Sequence, residues 1–111
     1  MSASFSSTGP GRFSVSGPMT FETVSSMLQQ GAAAFGQSDP IEIDLTQVGE
    51  SDSAGLALLI EWKRLAREKN SAITFANMPP QLVALARISE VDELLGVPAE
   101  SVRESEAATG G

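Results

Sequence analysis

A segment of strand period and a segment of helix period stand side by side in the middle of this chain, which excludes an all-helical or an all-strand fold. Ile41-Glu42-Ile43-Asp44-Leu45 alternates apolar and polar residues strictly, the pattern of a strand with one buried face, and the strand character extends through Thr46-Gln47-Val48. After the short loop 49–52 the period changes. Gly55, Leu58, Leu59, Trp62, Leu65 and Ala66 recur at helical spacing and predict a helix over residues 53–69. Glu61, Arg64 and Glu68 fall on its wet side at spacings that suit ion pairs, and Asn70 marks its end. Trp62 lies on the continuous apolar stripe, which makes it a core residue rather than a ligand platform.

The flanking segments extend the alternation of strand and helix. Residues 3–7 and 12–16 read as two strands joined through Gly9-Pro10-Gly11, with Phe13 and Val15 on one face and Gly17-Pro18 closing the hairpin. Residues 20–35 read as a helix whose stripe is Phe21, Val24, Leu28, Ala32 and Phe35, with Thr20 as N-cap, Glu22 in the first turn and Gly36 as the stop. Residues 72–76 form a further strand. Pro79-Pro80 ends it and opens a short helix over 81–88, with Leu82, Leu85 and Ala86 inward. A last short helix is expected over 90–95, stopped by Gly96 and Pro98, and an acidic tail that frays over 99–111. The order β-β-α-β-α-β-α-α describes an α/β fold. It predicts one domain over residues 1–98 with a mixed sheet of about four strands and about four helices.

Composition narrows the chemistry. The chain has 111 residues with no Cys and no His, so it has no thiol or imidazole for nucleophilic catalysis, general base work or metal ligation. No Gly-rich lysine loop of the phosphate-binding kind is present. Ser53 as a nucleophile would need Lys63 as its base, and ten residues of helix put the two roughly 15 Å apart. Glu90, Asp92 and Glu93 sit where a helix start favours carboxylates anyway, so neither a metal nor a cofactor is expected. A net charge of −7 disfavours nucleic acid. The first residues lack a basic and an apolar signal region, and the longest apolar run, Leu56-Ala57-Leu58-Leu59-Ile60, is far too short to span a bilayer, so a cytoplasmic location without membrane insertion is expected.

The junction Val48-Gly49-Glu50-Ser51-Asp52-Ser53-Ala54-Gly55-Leu56 joins the clearest strand to the clearest helix. In α/β folds such junctions collect sites, and a helix amino terminus suits an anion or a phosphorylated hydroxyl. Either Asp52 or Ser53 suits the cap, so a capped helix without further function and a binding site are both open from spacing alone. Lys63, Arg64, Arg67 and Lys69 gather four of the seven basic residues on one helix. They read either as a solvated face balanced by Glu61 and Glu68 or as a patch for an acidic partner surface.

Asp44-Leu45 followed by Asp52-Ser53-Ala54-Gly55-Leu56 resembles the signature of the STAS-domain family, in which a strand ending in Asp-Leu leads through a short loop into Asp-Ser/Thr-Ser/Ala-Gly-Leu at a helix start. Residues 55–67, with Leu85-Ala86-Arg87 and Glu93-Leu94-Leu95, further resemble the small MlaB-type STAS subunits of phospholipid-transport ABC complexes. The resemblance implies a STAS-like fold over nearly the whole chain. It places Ser53 on the family's regulatory Ser/Thr position, the phosphoacceptor of anti-sigma factor antagonists, with Asp52 and Gly55 as the flanking signature. Ala54 stands where many relatives carry Ser, and Gly49-Glu50-Ser51 replaces a more hydrophobic approach. Relatives keep Leu at the position of Leu56, which implies a core role there.

What the resemblance implies for function is a non-catalytic subunit. It would dock on the cytosolic ATPase of a lipid-transporting ABC complex that maintains outer-membrane lipid asymmetry. Through that ATPase it would be held near a membrane permease, peripheral to the inner membrane. An anti-sigma factor antagonist switched by a serine kinase is the alternative. The expected partner surface comprises Asp52, Ser53 and Gly55 at the helix start, with Ile60, Lys63, Arg64 and Arg67 along the helix as an apolar anchor rimmed by cations.

Overall fold

The computed structural model describes residues 3–36 and 38–97; the Pro98 stop and the fraying expected of 99–111 fall outside the described residues. Strands β1 (Ser4–Gly9) and β2 (Arg12–Met19) make the antiparallel hairpin, with Phe5 beside Val15 and Ser7 beside Phe13. Helix α1 (Val24–Phe35) leads to β3 (Ile41–Ser51), which lies parallel to β2, and α2 (Ser53–Glu68) leads to β4 (Ile73–Ala76), parallel to β3. Helix α3 (Pro80–Ile88) follows. The sheet order is β1-β2-β3-β4. Each strand therefore lies beside its predecessor in the chain, which keeps the crossovers short.

The alternation in the sequence decides which face the helices cover. Phe13, Val15, Ile41, Ile43, Leu45 and Ile73 are buried on one face. Between them lie Arg12, Ser14, Glu42, Asp44 and Thr74, all at least partly exposed. The helices pack on the apolar face, contributing Met27, Phe35, Leu58, Leu59, Trp62, Ala66, Leu82 and Ala86 to a single core. Trp62 and Phe35 are fully buried. Burying a large apolar side chain contributes about 1.5–3 kcal/mol. Their rings meet edge to face at 6.0 Å, and Phe5 reaches Trp62 at 5.5 Å. Gly31 permits this contact, because a Cβ there would stand 2.3 Å from Trp62 Nε1.

Four elements differ from the sequence expectation. Strand β2 runs through Gly17-Pro18 to Met19 instead of closing at the proline, because its pairing with β3 continues to Met19 opposite Ser51. Strand β3 absorbs most of the expected loop and ends at Ser51. Its register against β2 shifts twice, between Ser14 and Ser16 and again between Gly17 and Met19, each time with one extra residue on β3. Two bulges therefore convert the inward spacing from every second residue (Ile41, Ile43, Leu45) to every third (Leu45, Val48, Ser51). Helix α1 begins at Val24, three residues later than Phe21, where the apolar stripe starts. The last helix is absent: residues 92–96 form turns, so the described residues hold three α-helices rather than four. Glu90 has φ 60°, and the chain folds back to bury Leu95 and Val97 against the core. No helix among the described residues is long and apolar enough to cross a membrane.

Candidate functional site

The amino end of α2 is organised by Asp52. Its Oδ1 accepts hydrogen bonds from the backbone amides of Ala54 (2.9 Å) and Gly55 (3.3 Å), so Asp52, and not Ser53, caps the helix. Its Oδ2 accepts from the amide of Phe21 at 3.3 Å, which ties the turn between β2 and α1 to the same carboxylate. Gly55 is buried, and a Cβ there would stand 2.5 Å from the carbonyl oxygen of Met19. Only glycine lets α2 start this close to the end of β2. One residue before the cap, the amide of buried Ser51 donates to Gln81 Oε1 of α3 at 3.0 Å. The junction is thus held by three separate elements.

Ser53 is the first residue of α2 and is exposed; its hydroxyl makes no hydrogen bond among the described residues. Beside it stands a residue the sequence analysis placed in the core. Phe21 is 82% exposed, because residues 20–23 form a turn ahead of α1. Thr23 Oγ1 accepts from the amide of Thr20 and donates to the Pro18 carbonyl, locking that turn and delaying the helix. Thr20 therefore does not cap α1, and Glu22 lies outside it. The second threonine, at position 23, was the available signal that the helix starts late.

Helices α1 and α2 touch closely at Gly31 and Trp62. Toward their amino ends they leave a groove of about 310 Å3 lined by Val24, Leu28, Ala54, Ala57, Leu58 and Glu61. Leu56 is buried, whereas Ile60 is half-buried on the outer side of α2.

The basic residues lie toward the other end of α2, away from Asp52, Ser53 and Gly55. Arg64 is bonded to Glu61 three residues before it and to Glu68 four residues after it, the latter at 2.6 Å. The guanidinium holds the Glu61 carboxyl below its usual range, and the Glu61 hydrogen bond holds Arg64 above its own. Lys63 and Arg67 line a separate hollow with Asn70, Ser71, Ala72 and Ile73. The expected partner-binding residues thus fall in two groups, Asp52, Ser53 and Gly55 at the amino end of α2, and Ile60, Lys63, Arg64 and Arg67 from its middle toward its carboxyl end. On the open face of the sheet, Asp44 accepts from the Thr46 hydroxyl (2.6 Å), the Asn77 amide nitrogen (3.0 Å) and the Thr46 backbone (3.0 Å). The Thr46 hydroxyl first, then Asn77, hold its carboxyl below the usual range. Asp44 thereby fastens the end of β4 to β3. No group of three or more Asp and Glu side chains among the described residues is placed to hold a metal ion.

A four-stranded mixed sheet covered by helices on one face is a fold shared with several solved structures. The anti-sigma factor antagonist SpoIIAA in its unphosphorylated form superposes with a TM-score of 0.61 at 13% identity, over 78% of this chain and 82% of that one. The murine Solute Carrier 26 family member A9 anion transporter matches at 0.62 and 18% identity, over 77% of this chain but only 15% of the transporter. Mglu matches at 0.55 and 16% identity, over 70% of this chain and 20% of that one. No curated protein matches the sequence. The family described as Mlab, STAS domain, matches residues 5–96, and the chain belongs to it.

Proposed function

We propose that this chain is a non-catalytic STAS subunit that docks on the ATPase of a phospholipid-transporting ABC complex, and through it stays beside a membrane permease at the inner membrane. The observation that carries the reading is the amino end of α2. Asp52 and Gly55 fix it rigidly to the body of the domain, while Ser53 and Phe21 stand exposed on it. A rigid, preorganised end with an exposed hydroxyl and an exposed ring is suited to docking, because little ordering cost remains to be met on binding. The family match over residues 5–96 supports the choice of an ABC ATPase as partner. In this reading Asp52 and Gly55 position the docking end, Ser53 makes contact, and Ile60, Lys63, Arg64 and Arg67 extend the contact along α2.

An anti-sigma factor antagonist is the second reading, favoured by the fold likeness to SpoIIAA and by the exposure of Ser53. Against it, Ala54 stands where many relatives carry Ser, and Ser53 directly follows the capping Asp52 carboxylate. A phosphoryl group on Ser53 would add about −1.5 to −2 charges next to that carboxylate. Co-expression with the ATPase and permease subunits of a phospholipid-transporting ABC complex from the same organism tests the reading. A stable complex that survives Ser53→Thr and is weakened by Ser53→Glu is expected. Failure to form a complex, together with stoichiometric phosphorylation of Ser53 by a sigma-factor kinase, would overturn it in favour of the second.

A further inference from the structure

The carboxyl half of α2 and the start of β4 enclose a hollow of about 390 Å3 lined by Lys63, Arg67, Asn70, Ser71, Ala72 and Ile73. Glu61 faces α1, and two residues of helix turn by about 200°, so Lys63 lies on the opposite side of α2, toward β4. Strand β4 ends the sheet order, and no strand among the described residues follows it. The amide of Ile41 donates to the carbonyl of Ala72 at 2.7 Å, which fixes the phase of pairing with β3. Main-chain groups of successive residues point to opposite sides of a strand. Ala72 and Thr74 therefore face β3, and the amides and carbonyls of Ile73 and Phe75 point to the open side. The cations of the hollow have no counter-charge. Arg12 pairs with Glu42, and Arg64 with Glu61 and Glu68, whereas Lys63 and Arg67 meet no carboxylate among the described residues. Asp39 lies in an adjoining hollow with Lys69 and accepts the Ala72 amide at 3.1 Å.

We propose that an acidic, extended segment of the ATPase partner adds to the free edge of β4. It pairs with the main chain of Ile73 and Phe75 and sets Asp or Glu side chains against Lys63 and Arg67. The inference rests on the docking function proposed above and deepens it by assigning the chemistry and conformation of one partner segment. Strand addition at an open sheet edge takes affinity from main-chain hydrogen bonds and specificity from alternate side chains. The two features of this edge match in spacing. Lys63 and Arg67 are one helical turn apart, about 5–6 Å, and alternate residues on one face of a strand repeat every 6.6 Å or so, about the same distance. Two carboxylates two residues apart, turned to the helix side of the sheet, therefore meet the two cations. Strand β4 has only 4 residues, so main-chain pairing alone offers few bonds and the charges decide which segment is held. A second copy of this chain is a poor occupant, because its own edge strands, β1 and β4, carry no Asp or Glu. An anionic lipid surface is disfavoured by the net charge of −7.

The purified complex of this chain with its ATPase provides the test. Amide hydrogen exchange, resolved to single residues, is compared between the free chain and the complex. The amides of Ile73 and Phe75 are expected to slow about tenfold or more on binding, while Thr74, already turned to β3, changes less. Unchanged exchange at Ile73 and Phe75 in a stable complex overturns the proposal, and this readout on wild-type protein decides even where a variant fails to fold. Lys63→Glu with Arg67→Glu is expected to weaken the complex roughly tenfold at low salt and less at high salt. Unchanged affinity at low salt overturns the proposal as well. Because the chain has no cysteine, Thr74→Cys gives a single thiol for a benzophenone label. Its expected photoadduct is an ATPase segment with Asp or Glu at alternate positions. An adduct to a second copy, to residues 98–111 of this chain, or to an ATPase segment without such acids overturns the proposal. So does binding of the full chain alone to phosphatidylglycerol vesicles that the double Glu variant abolishes. A stable complex without the expected exchange or salt effects removes strand addition and leaves the docking function intact, whereas no complex with wild-type protein removes both.

Discussion

The two ends of α2 are built on different principles. At the amino end the local cap on Ala54 and Gly55 is joined by long-range ties: Asp52 also holds the amide of Phe21, thirty-one residues away, and Gly55 lies against Met19. Toward the carboxyl end the ties of Arg64 are local, to Glu61 and Glu68 on the same helix. Long-range ties fix where a helix starts relative to the rest of the domain. Local pairs on an exposed face stabilise helix anywhere and position nothing. In the proposed docking, the amino end is therefore the part of α2 whose geometry the partner would read, and the carboxyl end would add charge to that reading.

The largest effect expected from this contrast is at Gly55. Gly55→Val drives a branched side chain into the Met19 carbonyl and should lower stability by about 2–4 kcal/mol in urea unfolding. The same change at exposed Ala57 should lower it by no more than about 0.7 kcal/mol, the helix propensity of valine. Similar losses at the two positions would mean that α2 does not depend on its seating at β2. Next comes the cap. Asp52→Ala should lose about 1–2 kcal/mol, whereas Ser53→Ala should stay within about 0.5 kcal/mol because its hydroxyl bonds nothing among the described residues. A larger loss at Ser53 than at Asp52 would transfer the cap to the serine.

At the carboxyl end, Arg64→Glu with Arg67→Glu should leave the melting temperature within a few degrees. It should weaken the ATPase complex modestly, and more at low salt than at high salt. Unchanged binding at low salt would confine the interface to the amino end. The smallest effect lies on the open face. The carboxyl of Asp44 is depressed in the folded state, so its hydrogen bonds stabilise fully above the ordinary carboxylate range and are lost as pH falls through its lower folded value. Asp44→Asn should therefore cost below about 1 kcal/mol at neutral pH, since the site faces solvent, and should flatten the fall in stability below about pH 4. An acid limb identical in the two proteins would show that Asp44 is not held as described.

Where a single period governs a segment, the sequence showed its structure. Ile41 to Leu45 and the stripe through Trp62 lie where the alternation and the helical spacing put them, because burial on one face is all those positions require. The later half of β3 was not legible: two bulges change the spacing from two to three, and the cause is pairing with β2, which no local pattern records. Phe21 continued the stripe of α1 at correct spacing, yet the turn locked by Thr23 ends the helix before reaching it. The choice between Asp52 and Ser53 stayed open because both suit a cap; the tie to Phe21 shows how the carboxylate serves two elements at once. Glu90 to Leu95 had the composition of a helix but folds into turns, where burial of Leu95 and Val97 outweighs local propensity.

The bulges of β3 also bear on self-association. Strand β4 pairs only with Ile41 to Asp44, so the rest of β3 has no strand on that side among the described residues. A regular edge of that length would be a template for another copy's strand and a route to aggregation. Two inserted residues break the regular spacing that such pairing needs, and Gln81 takes the last amide, at Ser51. The irregularity that turns Val48 and Ser51 toward the core thus also keeps a partly open sheet from extending itself through neighbouring molecules.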